Sequence, residues 1–159
     1  MATSRWKPSV TVAAIVERDG RYLVVEEQTG DGLRLNNPAG HLEPGESPLQ
    51  AVIRETLEET ACRFMPAALV GVYLSRYQRP ASSEDVTFLR LAYTGTVGAP
   101  EPGRALDHGI LRTLWLTADE IRARLPEHRS PLVMKCIDDY VAGQRYPLSV
   151  VYAHPSVLA

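Results

Sequence analysis

Glu55, Glu58 and Glu59 stand at the i, i+3 and i+4 spacing, which on an α-helix gathers all three carboxylates on one face. Like charges one turn apart repel by roughly a few tenths of a kcal/mol per pair, so the cluster needs a counter-charge. The neighbouring Arg54 is one. A hard divalent cation is the other, because clustered carboxylates and backbone carbonyls are what Mg²⁺ or Mn²⁺ binds. A solvated acidic stripe would need the same residues and nothing around them. Here the stretch before the helix contains Gly40 and Gly45, where backbone can come close to a ligand, together with Glu43 and Glu46.

Ser47 can cap that helix, Pro48 suits its first position and Gln50 completes a capping box, which predicts a helix from residue 48 to about 60. Leu49, Val52, Ile53 and Leu57 form an apolar face turned largely away from the acids. Upstream, the β-branched run 10–16, the turn dipeptide Asp19-Gly20 and the strand pattern 22–25 predict a hairpin. A polar stretch 29–32 follows, and turn residues between 36 and 45 predict an irregular loop leading into the helix. Downstream, strands are expected at 69–74 and 86–93 with a polar loop 78–85 between them. A Gly- and Pro-rich loop 95–109, a strand at 111–116 and helices around 118–125 and 130–142 follow. Strand pairs interleaved with isolated helices predict an α+β fold, an α/β/α sandwich with a mixed β-sheet flanked by helices.

The chain has 159 residues, 45% hydrophobic and 23% charged, which excludes disorder as the main state and suits one domain, residues 1–159, with a core of about 8–142 and a tail 143–159. A net charge of −2 gives no electrostatic footprint for nucleic acid or an anionic membrane, so a small molecule is the expected partner. No apolar stretch is long enough to span a bilayer and no signal-peptide core is evident, which points to the cytoplasm. Cys62 and Cys136 stand far apart, as core thiols would, with no disulfide framework or zinc motif. Among residues able to touch a substrate, Arg34, Arg76 and Arg145 could meet phosphate, and Tyr73, Tyr77, Phe88 and Trp115 could stack on a ring; Arg34, Tyr77 and Arg145 are taken as the substrate-binding set.

Gly40, Glu46 and the run Arg54-Glu55-Thr56-Leu57-Glu58-Glu59-Thr60-Ala61-Cys62 resemble the Nudix box, G-x5-E-x7-R-E-U-x-E-E-x-G-U with U apolar, at six charged or glycine positions. Thr56 replaces an apolar residue. Ala61 replaces the second glycine, so the helix end is expected to lack the left-handed cap that glycine allows. Asn37-Pro38-Ala39-Gly40-His41-Leu42-Glu43, Arg129-Ser130-Pro131-Leu132-Val133 and Gly143-Gln144-Arg145-Tyr146-Pro147-Leu148 are similar to the NudJ-type phosphatase subgroup.

The resemblance implies the Nudix fold and Mg²⁺- or Mn²⁺-dependent hydrolysis of a pyrophosphate linkage in nucleoside tri- or diphosphates or thiamin-type pyrophosphates, with release of phosphate. It implies Glu58 and Glu59 as metal ligands with the Gly40 carbonyl. Glu55 would coordinate or, as favoured here, accept the proton of the attacking water. Arg54 would pair with a glutamate or touch phosphate, and Glu46 would bind a second metal or hold the loop. Glu84, Asp85 and Asp107 are candidates for a carboxylate ligand outside the box. The alternatives are a pyrophosphatase for ADP-ribose, dinucleoside polyphosphates or oxidised nucleotides, and a non-catalytic nucleotide-sensing module. Either a monomer or a homodimer would serve, with a small phosphoanhydride as partner and neither nucleic acid nor membrane.

Overall fold

The computed structural model describes residues 4–79 and 81–158. In chain order the strands and α-helices are β1 (Ser9–Ile15), β2 (Glu17–Arg18), β3 (Arg21–Thr29), β4 (Gly32–Asn36), β5 (Ala39–His41), α1 (Pro48–Thr60), β6 (Phe64–Gln78), β7 (Asp85–Val97), β8 (Ile110–Leu116), α2 (Ala118–Arg122) and α3 (Leu132–Val141). From Val12 onward the apolar residues of β1 are buried on both faces. Val12, Ala14 and the following Val16 join one core cluster with Ala51 and Val52 of α1, while Ala13 and Ile15 join another with Val133, Cys136 and Ile137 of α3. A strand apolar on both faces must be covered on both, so the sheet lies between helical layers.

That first sheet has the order β5-β1-β7-β6, with β1 and β7 parallel and the outer pairs antiparallel. The second is antiparallel around β3, with β8 on one edge and β2 and β4 on the other. This is the expected mixed sheet flanked by helices. Both cysteines are buried and free. Among the described residues no helix is long and apolar enough to cross a membrane.

Three local expectations are corrected. Asp19 and Gly20 do form the tight turn, with φ of 53° and 75°, the two positive values a type I′ turn requires. It joins only β2 to β3, because β1 pairs instead with β5 and β7, and the chain changes sheets at Val16. The segment expected as an irregular loop contains a strand, β5, and a further strand, β4, lies between it and the polar stretch before it. The turn before β4 is closed by Thr29, whose hydroxyl donates to Gly32 O at 2.8 Å. Ordered edge pairing thus replaces loop where β3 and β1 offer free backbone groups.

The third correction is at the end of α1. The helix starts as expected: Gln50 N donates to the Ser47 hydroxyl at 3.2 Å and Ser47 N to Gln50 Oε1 at 2.8 Å. Beyond Thr60 the left-handed cap is present without glycine, since Ala61 adopts φ 59° and ψ 12° and donates to Leu57 O at 2.9 Å. An alanine there carries a Cβ clash worth about 1–2 kcal/mol, partly offset by the lower unfolded-state entropy of alanine. Ala61→Gly is therefore expected to stabilise the protein by roughly 1 kcal/mol, raising Tm by about 2–4 °C for a chain of this size. Thermal unfolding followed by circular dichroism checks this, and a lower Tm for the glycine variant would contradict it.

Candidate active site

The sequence places the core side of α1 on its apolar face, but the helix is turned so that Glu55 and Glu59 are buried, at 8% and 6% exposure, while Ile53 is exposed at 38%. Ala51, Val52, Thr56 and Thr60 complete the buried face. Thr56 fits there despite its polarity because its hydroxyl donates to Val52 O at 2.7 Å. Burying carboxylates is costly unless they are paired or neutral. Gly40 makes the room: a Cβ on it would lie 2.0 Å from Glu55 Cδ, so any larger residue would displace that carboxyl.

Arg54 supplies the pairing. A guanidinium has five N–H donors, and all five are used: Nε and Nη2 grip Glu46 at 3.0 and 2.7 Å, and Nη1 is shared by Glu55 and Glu58 at 2.8 and 3.1 Å. Nη2 also donates to His41 O at 3.0 Å. Glu46 in turn accepts from Glu43 N at 2.8 Å, tying the preceding turn to the helix. The bonds from Arg54 hold the Glu46 carboxyl below its ordinary pKa, and the bonds to Glu46 push Arg54 upward. Burial raises Glu55 against the pull of Arg54. Burial also pushes Glu59 from 4.5 up to about 9, opposed by the bond from Ala39 N to its Oε2 at 3.0 Å.

Glu55, Glu58 and Asp107 offer carboxylate oxygens that all lie within 4.8 Å of one another. Asp107 arrives from the loop between β7 and β8. That loop is fastened to the end of α1 by Asp107 N donating to Glu58 O at 2.9 Å and Glu101 N to Ala61 O at 2.8 Å. Of the other acids considered outside the box, Asp85 is gripped by Arg76 at 2.8 and 2.7 Å and Glu84 pairs with Arg79 at 3.4 Å. Glu59 stands outside the trio, turned to Ala39. The bonds Leu42 N to Val10 O and Ala14 N to Pro38 O flank the Val12–Gly40 pair. By ladder alternation the Gly40 carbonyl faces Val12, with one lone pair left over. Hard, closely spaced, partly buried oxygen donors with an excess of negative charge fit a divalent cation such as Mg²⁺ or Mn²⁺.

Gly40 and His41 also border a cavity of about 290 Å³. Their strand, β5, is the sheet edge between the acids and this space. Tyr77 and Phe88 line it, as do Arg76, Arg90, Arg129 and Glu27. The Tyr77 hydroxyl donates to Asp31 Oδ2 at 2.7 Å. Arg34 and Arg145 do not line it. Arg34 lies on β4 and bonds Leu33 O at 2.9 Å, and Arg145 stacks on Tyr140 at 3.8 Å, beyond the far end of α3. That end is about 15 Å from the Pro131–Leu132 end that borders the cavity. Tyr73 donates to Asp139 at 2.9 Å, and Trp115 packs on the α1-side cluster under Arg18; neither borders this cavity. Glu27 and Arg90 escaped the sequence reading. The available signal for Arg90 was one charge inside the apolar run Phe88-Leu89-Arg90-Leu91-Ala92.

The family model described as the NUDIX domain matches residues 5–136. The chain is 36% identical to Phosphatase NudJ of Escherichia coli (strain K12) over 146 residues, 92% of each chain. A solved NUDIX hydrolase from Nitrosomonas europaea is 50% identical with a TM-score of 0.85, over 93% of this chain and 98% of that one. A MutT NUDIX hydrolase from Burkholderia pseudomallei, 21% identical with a TM-score of 0.67 over 84% of this chain and 98% of that one, shares the fold. With the box residues, the layered sheet and these relatives in agreement, the chain belongs to the Nudix hydrolase family.

Proposed function

We propose that this Nudix hydrolase cleaves a phosphoanhydride of nucleoside tri- or diphosphates or of thiamin-type pyrophosphates, releasing phosphate with the help of Mg²⁺ or Mn²⁺. The observation that carries this reading is the trio of Glu55, Glu58 and Asp107 oxygens beside a ring-sized cavity that shares Gly40 with it. Similarity to a protein named a phosphatase supports phosphate as a product. Glu58 and Asp107, with Glu59 and the remaining lone pair of the Gly40 carbonyl, would hold the cation, and Glu55 would stand beside it as the base. When bound, it supplies charge neutralisation on phosphate oxygens and acidifies water.

The chain's own groups do the rest. Glu55 Oε1 is taken by Arg54, so Oε2 is the atom that accepts the proton of the attacking water, and burial makes that carboxyl a stronger base than an exposed one. Arg54 is a positioning residue, because none of its donors is free for phosphate. Glu46 fixes the turn before the helix. Tyr77 and Phe88 flank the organic group of the substrate, while Arg34 and Arg145 have no part in this scheme. The same reading makes the chain one cytoplasmic domain over residues 1–159, monomeric or homodimeric, with neither nucleic acid nor membrane as partner.

Glu58→Gln is expected to lower Mg²⁺-dependent turnover at least a hundredfold with Tm near wild type. A panel of nucleoside di- and triphosphates, thiamin diphosphate, ADP-ribose and dinucleoside polyphosphates, read as orthophosphate release, tests both the reaction and its range. Unchanged turnover in the variant, or activity confined to ADP-ribose or dinucleoside polyphosphates, would overturn the proposal. A second expectation concerns pH. The folded pKa of Glu59 exceeds its unfolded value, so its contribution to stability is complete below about 4.5 and is lost as pH rises through about 9. In metal-free protein the Tm advantage of Glu59→Gln over wild type should therefore grow between pH 5 and pH 9, and Mg²⁺ at pH 9 should raise the wild-type Tm more than that of the variant. A pH-independent difference would contradict this.

A further inference from the structure

Two neighbouring glutamates on β3 are treated in opposite ways. Glu26, 3% exposed, is saturated: Arg112 Nε donates to its Oε2 at 2.6 Å and Arg124 Nη2 to its Oε1 at 2.7 Å. Glu27 points to the other face of the strand, into the cavity, and its buried Oε1 receives no hydrogen bond. Arg129 Nε lies 3.1 Å from that oxygen but is not aligned to donate to it. A buried carboxylate oxygen without a donor is a rare and costly arrangement unless something else supplies one.

Across the same cavity Arg90 has the converse need. It is 6% exposed, and its guanidinium donates to neutral amide oxygens, Asn37 Oδ1 at 3.2 Å and Asn36 Oδ1 at 3.4 Å, beside the Cys136 thiol. Among the described residues it forms no ion pair, whereas Arg76, Arg79 and Arg129, which line the same cavity, each pair with a carboxylate. The cavity therefore lacks a donor opposite Glu27 and an acceptor opposite Arg90. An anion would satisfy Arg90 but leave Glu27 Oε1 without a donor, and a cation would leave Arg90 without an acceptor. A planar neutral group with an N–H beside a ring nitrogen or carbonyl oxygen satisfies both, and Phe88 and Tyr77 offer it ring faces.

We propose that Glu27 and Arg90 are specificity residues that read the edge of a heteroaromatic ring, Glu27 Oε1 accepting from its N–H and Arg90 donating to the adjacent acceptor. This rests on the reading of the cavity as the place of the substrate's organic group. The ligand class is a nucleobase or aminopyrimidine carrying the phosphoanhydride, as opposed to a ring-less polyphosphate. A site built to hydrogen-bond a polar edge rejects ligands lacking it, because its own buried groups are then left unpaired.

The test compares wild type with Glu27→Ala, Glu27→Gln and Arg90→Gln, all first checked for folding by thermal unfolding. With Mg²⁺, kcat and KM are measured for CDP and for inorganic triphosphate; without metal, binding of CMP and of orthophosphate is measured by calorimetry. Glu27→Ala is expected to cost at least tenfold more in kcat/KM on CDP than on inorganic triphosphate, with the loss carried by KM, and to weaken CMP binding at least tenfold. Glu27→Gln, which keeps an acceptor, should recover most of that loss, and Arg90→Gln should weaken CMP more than orthophosphate. Equal losses on both substrates, or CMP binding indifferent to Glu27, would overturn the proposal. So would orthophosphate binding that depends on Arg90 but not on Glu27. Failure of turnover on every substrate would count against the hydrolase reading instead, and the metal-free CMP measurement would still decide this one.

Discussion

One guanidinium keeps the acidic helix in working order. Arg54 reaches two glutamates on its own helix, a third on the preceding turn and the His41 carbonyl on β5, and it does so with its full complement of donors. Without a shared cation, Glu55 and Glu58 would repel one another and the buried Glu55 would favour its protonated form. With it, two carboxylates stay close together while the oxygen of Glu55 that Arg54 does not bond remains available. Because the grip includes β5 and the turn before the helix, the placement of the acids is coupled to the strand that forms the wall of the cavity.

The alternation of β1 explains how one small fold separates two tasks. Val12, Ala14 and Val16 seat the helix that bears the acids, whereas Ala13 and Ile15 seat α3, whose first turn borders the cavity. Acids and cavity thus belong to different layers, and the short edge strand β5 is where they meet. Glycine at position 40 is required there for a packing reason, since its missing side chain is the space that Glu55 occupies.

Much of this is legible in the sequence alone, because it depends on local chemistry. The Ser47–Gln50 box and Pro48 fixed the start of α1, and the turn at Asp19-Gly20 was correctly located. What escaped depends on partners distant in sequence. The register that sends β1 to β7 instead of β3, and the rotation that buries Glu59 and exposes Ile53, follow from the sheet edge and from Gly40, not from helix periodicity. Asp107 was one of three equivalent acids in the sequence and becomes distinct only because its loop folds back onto the helix. Glu27 and Arg90 carry no motif at all; their meaning lies in bonds that they do not make.

The way that loop is attached has an evolutionary corollary. Both fastenings, Glu101 N to Ala61 O and Asp107 N to Glu58 O, use main-chain atoms, so they are indifferent to which side chains the loop carries. The intervening stretch can drift in composition, and even in length, while an acid at position 107 stays registered to the helix. Diversification of the family around a constant acidic centre would find in such a strap one of its least constrained routes.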